Sequence, residues 1–99
     1  MWDGSCAMKR TVHVRIAGRV QGVGYRAWTE WEANELGLEG WVRNRRDGTV
    51  EAVFSGGAEA VTEMLHRCES GPPGARVTGI DIVGEDAGTF HGFEVRPTA

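Results

Sequence analysis

Val12, Val14 and Ile16 alternate with His13 and Arg15 in the stretch TVHVRIAG, which begins at Thr11. A period of two makes one face apolar and the other polar, which predicts a half-buried strand. A glycine-rich stretch, GRVQGVGYR, follows over residues 18–26, and YRAWTEWEANELG continues from Tyr25. At 100° per residue, Tyr25, Thr29, Ala33 and Leu36 form one stripe with Trp28 at its edge. This predicts an amphipathic helix over 25–36, ended by Gly37. Trp31 falls off the stripe and is expected on the surface. In EGWVRNRRDGTVEAVFSG, Asp47-Gly48 reads as a two-residue turn between strands 41–46 and 49–55. A second helix follows in AEAVTEMLHRCES, with Ala58, Val61, Leu65 and Cys68 on one face, so Cys68 reads as a small core residue. GPPG at 71–74 is a loop, and 76–83 and 92–96 read as two more strands joined by a turn-prone segment, 84–88.

The order is β-α-β-β-α-β with a short fifth strand. Two split βαβ units around a hairpin predict an α+β, ferredoxin-like sandwich, with two helices packed on one face of a mainly antiparallel sheet. That fold hosts many unrelated functions and names none of them.

Composition narrows the function classes. The 99 residues suffice for one domain; 40% are hydrophobic and 25% charged, as in an ordinary globular protein. Residues 1–10 show no periodicity and read as a flexible tail, leaving 11–97 as a single domain. No apolar run nears the roughly 20 residues of a membrane span. MWDGSCAMKR lacks a signal-peptide core, so a cytoplasmic location is expected. A net charge of −3 argues against a general nucleic-acid binder. Cys6 and Cys68 have no second ligand at zinc-site spacing, so no metal site is expected. A Cys6–Cys68 disulfide stays open as an alternative, which a reducing cytoplasm disfavours.

The glycine loop carries the first candidate chemistry. At a strand-to-helix junction, successive backbone N–H groups converge into a nest, and the first helical turn adds partial positive charge. The nest would run from Arg19 through Val20, Gln21, Gly22, Val23, Gly24 and Tyr25 to Arg26. Gly18, Gly22 and Gly24 would remove side chains that block an approaching phosphate. Arg26 could fork onto two phosphate oxygens. There is no GK[ST] ending and no GxGxxG spacing, so neither a P-loop nor a dinucleotide fingerprint fits. The competing reading is a tight structural turn with a solvated Arg26. Yet a cation near a helix N-terminus is electrostatically misplaced unless an anion lies between them.

Asn44 is the second candidate. It shares a strand face with Val42, opposite Trp41, Arg43 and Arg45, and asparagine is depleted in strands. Either it satisfies the nearby turn, or it orients a water molecule beside a bound phosphate.

The two stretches together resemble the acylphosphatase family. Its first signature, Gly-x-Val-Gln-Gly-Val-x-Phe-Arg, fits residues 18–26 except that Tyr25 replaces Phe. Its second is matched by Gly40, Trp41, Val42, Arg43, Asn44, Gly48, Val50 and Gly56. The resemblance spans residues 9–97. It implies metal- and cofactor-free hydrolysis of a small-molecule acyl phosphate to a carboxylate and phosphate, with inorganic phosphate as product and competitive inhibitor. It also implies catalytic roles for Arg26, binding the phosphoryl group, and Asn44, positioning the water. A monomer acting without nucleic acid or membrane is expected.

Rival readings remain. Acylphosphatase-like domains also occur in larger carbamoyl-phosphate-handling proteins of hydrogenase maturation, and the fold also carries non-catalytic anion-binding modules. An RNA-binding module would display aromatics on the open sheet face. There the first strand offers only His13 and Arg15, and the third only Phe54. His13, His66 and His91 are placed away from the loop, and Asp81 is expected on an exposed strand face.

Overall fold

The computed structural model describes residues 9–85 and 88–99. Its elements are β1 (Lys9–Arg19), α1 (Tyr25–Glu35), β2 (Glu39–Asn44), β3 (Val50–Gly57), α2 (Ala58–Ser70), β4 (Arg76–Gly84) and β5 (Phe93–Val95). β1 lies antiparallel between β3 and β4, β2 antiparallel to β3, and β5 parallel to β2, in the order β4-β1-β3-β2-β5. Both helices cover one face of this sheet, so the ferredoxin-like sandwich expected from the element order is the fold the chain adopts. No helix among the described residues is long and apolar enough to cross a membrane.

The core lies between that face and the helices. Val12, Val14 and Ile16 of β1 meet Tyr25 and Ala33 of α1 and Val61, Met64 and Cys68 of α2, all fully buried. Each such aliphatic side chain contributes roughly 1.5–3 kcal/mol of burial free energy. α1 stops where Gly37 turns to φ 71° and the Leu38 amide donates back to the Ala33 carbonyl at 2.8 Å. This backbone closure satisfies an orphan carbonyl at the helix end. Trp31 is exposed, as its place off the stripe predicts.

Several positions differ from the sequence-based expectation, each for a physical reason. Phe54 is not on the open face but fully buried beneath the helices. It and Phe93 flank Gly40 in register, and their rings stack with centroids 5.8 Å apart. A glycine between them lets two side chains from strands two places apart meet across the gap. The parity of β3 is blurred because Glu51, Val53 and Ser55, which point the other way, are buried too. In α2, Met64 takes the central buried position and Leu65 only a flanking one. β1 begins two residues early, pairing Lys9 with Gly57 and Arg10 with Gly56. The hairpin turn is longer than two residues. Arg45 still bonds Thr49, and Arg46, Asp47 and Gly48 form the loop. Gly48 is at positive φ and Asp47 is not, so the two-residue turn that needs both is not formed. Asp47 instead accepts from the Thr49 amide and hydroxyl. Cys68 is buried, while Cys6, its candidate disulfide partner, lies outside the described residues.

The sheet's open face is organised around one carboxylate. Glu51 is only 3% exposed, yet accepts hydrogen bonds from Arg43 Nε at 2.8 Å, Arg45 Nη1 at 2.9 Å and the His13 ring. Trp41 lies beneath the guanidinium groups of Arg43 and Arg96, 4.8 and 4.9 Å from its ring centre. No free aromatic platform for base stacking is displayed there among the described residues, which removes the basis for the RNA-binding reading.

Burial alone would raise the Glu51 pKa, but the hydrogen bonds from Arg43, His13 and Arg45 outweigh it and lower the value from 4.5 to about 2. A carboxyl whose folded pKa is depressed contributes stability above its unfolded pKa and loses it as pH falls through the folded one. Urea midpoints should therefore fall between pH 4.5 and 2, with each pKa unit contributing about 1.4 kcal/mol at most. Glu51→Gln should be less stable than the parent at pH 7 and should flatten that acid limb. An unchanged limb would show that Glu51 is not the group responsible.

Candidate active site

β1 ends against β4 and turns into α1 through residues 20–24. Gly18, the first glycine of the loop, serves the strand rather than a ligand. A side chain there would place its first carbon 2.1 Å from the Arg76 carbonyl oxygen, so β1 and β4 approach only because it is glycine. Gly22 and Gly24 are different. Both adopt the left-handed conformation, at φ 77° and 78°, and both face open space. Glycine reaches this conformation without steric cost, and turns of this kind let successive amides converge on one side of the chain.

That side is unusually rich in free donors. Gly24 is the N-cap of α1 and has no side chain to bond the first turn, and no acidic residue occupies that turn. Among the described residues, no backbone carbonyl accepts from the amides of residues 21–27. The first turn's orphan N–H groups and the positive end of the helix dipole are therefore left for a ligand. Arg26, half-buried, stands on the same turn and forms no ion pair with any described residue.

A cavity of about 320 Å³ opens there, lined by Val20, Gly22, Gly24, Tyr25, Arg26, Ala27, Glu30, Asn44 and Val95. The two expected catalytic residues, from separate stretches of the chain, thus reach one space. Asn44 arrives because β2 keeps it on the helix-facing side, two residues beyond buried Val42. Its backbone is pinned: the Ala99 amide donates to the Asn44 carbonyl at 2.9 Å, and the Arg46 amide to the Ala99 carbonyl at 3.0 Å. Its carboxamide has no hydrogen-bond partner among the described residues and stays available.

The remaining residues of the expected nest divide by role. Val20 and Tyr25 are buried in the core, where the Tyr25 hydroxyl donates to the Cys68 carbonyl at 2.7 Å. The hydroxyl that departs from the family signature thus satisfies one of the last carbonyls of α2. Val23 packs against the core. Arg19, exposed at the end of β1, pairs with Arg76 and does not line the cavity. Gln21 contributes its side chain elsewhere: its Nε2 donates to the Arg45 carbonyl at 2.7 Å and the Thr49 carbonyl at 2.9 Å. It fastens the loop to both sides of the hairpin that carries Asn44. Three lining residues were missed. Ala27 and Glu30 follow Arg26 on the same helix face, a signal available from helical spacing. Val95 enters only through the parallel pairing of β5 with β2, which no local pattern announces.

The acylphosphatase family model matches residues 12–95, which includes every residue of the cavity. The chain belongs to the acylphosphatase family. An acylphosphatase of Rhodopseudomonas palustris is 57% identical over 83 residues, 84% of this chain and 81% of that protein. The structure of an acylphosphatase from Coxiella burnetii superposes with a TM-score of 0.86 at 33% identity, covering 91% of this chain and 95% of that one. The resemblance read from the two signatures is borne out, and with it the hydrolase class. The rival reading, a domain of a larger protein, has weaker support. T. kodakarensis HypF superposes with a TM-score of 0.79 at 29% identity over 93% of this chain, but this is only 12% of that protein.

Gln21→Leu tests the fastening directly. Both carbonyls keep their backbone partners, so the loss is that of two hydrogen bonds at about 0.5–1.5 kcal/mol each, and the acylphosphatase fold should be destabilised by about 1–3 kcal/mol in urea titration. Unchanged stability with weakened phosphate binding would instead make Gln21 a ligand contact.

Proposed function

We propose that this cavity hydrolyses the carboxyl–phosphate bond of acyl phosphates, yielding a carboxylate and inorganic phosphate without a metal ion. The observation that carries this reading is the convergence, on one space, of a guanidinium, first-turn amides and a carboxamide that have no partner among the described residues. The amides of residues 21–26 and the Arg26 guanidinium suit the equatorial phosphoryl oxygens, where charge gathers in the transition state. The Asn44 carboxamide suits the attacking water. The water oxygen bonds to phosphorus as the phosphorus–carboxyl oxygen bond breaks, and its electron pair leaves with the carboxylate. That leaving group is already weakly basic, so no strong general acid is required. Asparagine is no base at neutral pH, so the water's proton passes to a phosphate oxygen of the substrate or to solvent. Every group used belongs to one chain, which fits a monomer, and the reading keeps the cytoplasm as its place of action.

Arg26→Ala should weaken inhibition by inorganic phosphate and lower turnover, by ~10²–10³ or more for loss of a bidentate charged donor. Asn44→Ala should lower turnover by a comparable factor while leaving phosphate inhibition nearly unchanged, because it removes an interaction needed only on the way to the transition state. Circular dichroism should show both variants folded. Near-normal turnover in Asn44→Ala would reduce the residue to a hairpin asparagine; loss of phosphate binding as well would make it an anchor.

Hydrolysis should persist in excess chelator, since the cavity's donors are N–H groups and a guanidinium suited to an anion. Loss of activity with EDTA, restored by magnesium or zinc, would contradict the metal-free reading.

A further inference from the structure

Glu30 is the one lining residue whose charge opposes the ligand. A carboxylate in an anion site weakens phosphate binding, so its presence calls for a reason. The other acids of α1 have an evident structural one: Glu32 and Glu35 accept from Arg67 of α2 at 2.8 and 3.0 Å. Glu30 has no hydrogen bond or ion pair with any described residue. It stands four residues after Arg26, one turn further along the same face, and still does not close an ion pair with it. An arginine N-terminal to its acid is the weaker orientation for such a pair. Both charges therefore face the cavity separately.

Position then assigns a role. The phosphoryl group is drawn to the amides of the loop and to Arg26, and the water to Asn44. What remains of the lining for the acyl group, apart from the core residues Val20 and Tyr25, is Ala27, Glu30 and Val95: two small apolar surfaces and one negative charge. A volume of 320 Å³ is that of a sphere about 8.5 Å across, close to the Debye length at physiological salt. A charged substituent held within the cavity is therefore only partly screened from Glu30.

We propose that Glu30 determines acyl specificity, selecting acyl phosphates whose acyl group is uncharged or cationic and rejecting those that carry a second carboxylate. The inference rests on the acyl phosphate reading above. Two like charges at this separation in a half-buried site cost about tenfold in relative kcat/KM. The effect is one of discrimination: the phosphoryl part is common to all substrates, so repulsion felt by it cancels in a ratio.

The experiment compares acetyl phosphate with succinyl phosphate, which adds a distal carboxylate, for the native protein, Glu30→Gln and Glu30→Lys. The native protein should favour acetyl phosphate. The succinyl-to-acetyl ratio of kcat/KM should rise about 5- to 20-fold in the near-isosteric Glu30→Gln and further in Glu30→Lys. Salt near 1 M should shrink the native preference and leave the glutamine variant's ratio almost unmoved. A ratio unchanged by substitution, or a preference indifferent to salt, would overturn the role for Glu30 while leaving the hydrolysis intact. Hydrolysis of neither substrate by the native protein would overturn the underlying reading, and this inference with it.

Discussion

A helix that begins on a glycine leaves its first amides without partners, and the rest of this site depends on that omission. Most helices satisfy those donors with a serine, threonine or aspartate at the N-cap. Here Gly24 cannot, no acid occupies the first turn, and Arg26 adds a full positive charge where the dipole is already positive. Such an arrangement is unfavourable in isolation and becomes favourable with an anion present. In the proposed function that anion is the substrate's phosphoryl group, and the surrounding fold carries the cost of the empty state.

The fold carries it by fixing both partners of the site to one rigid sheet. Gly18 and Gly40 allow backbone approaches that a side chain would forbid, so β1 closes on β4 and β2 on β3. Gln21 ties the loop after β1 to the hairpin after β2, and the C-terminal residues hold the Asn44 backbone from the other side. Beneath them, the Tyr25 hydroxyl joins the start of α1 to the end of α2. Phosphoryl transfer asks a protein mainly for position and electrostatics, and in the proposed function these ties are what supply position.

What could be read beforehand and what could not divides by range of interaction. Arg26 and Asn44 were legible because each is the wrong residue for its local element, one near a positive helix end and one on an apolar strand face. The element order followed from periodicity, and the fold from that order. The direction of the Gln21 side chain, the strand role of Gly18 and the arrival of Val95 were not legible, because each depends on pairing between distant elements. Phe54 was assigned to the wrong face because β3 is buried on both, which erases the alternation that normally reveals parity. Glu30 lay within reach of helical spacing, but its place in the cavity depends on how α1 packs beside β2 and β5, which the helix pattern does not show.

The central claim is that this site stabilises a transferring phosphoryl group by position and charge, without a group that protonates the leaving oxygen. The most direct measurement is the release of phosphate from acetyl phosphate and from p-nitrophenyl phosphate by the same protein under the same conditions. The account predicts rapid, saturable hydrolysis of acetyl phosphate, whose carboxylate leaves unaided, and at most a trace from the phosphomonoester, whose leaving group is more basic. Comparable rates on the two substrates would contradict it, because a group in the site would then have to be assisting the leaving oxygen.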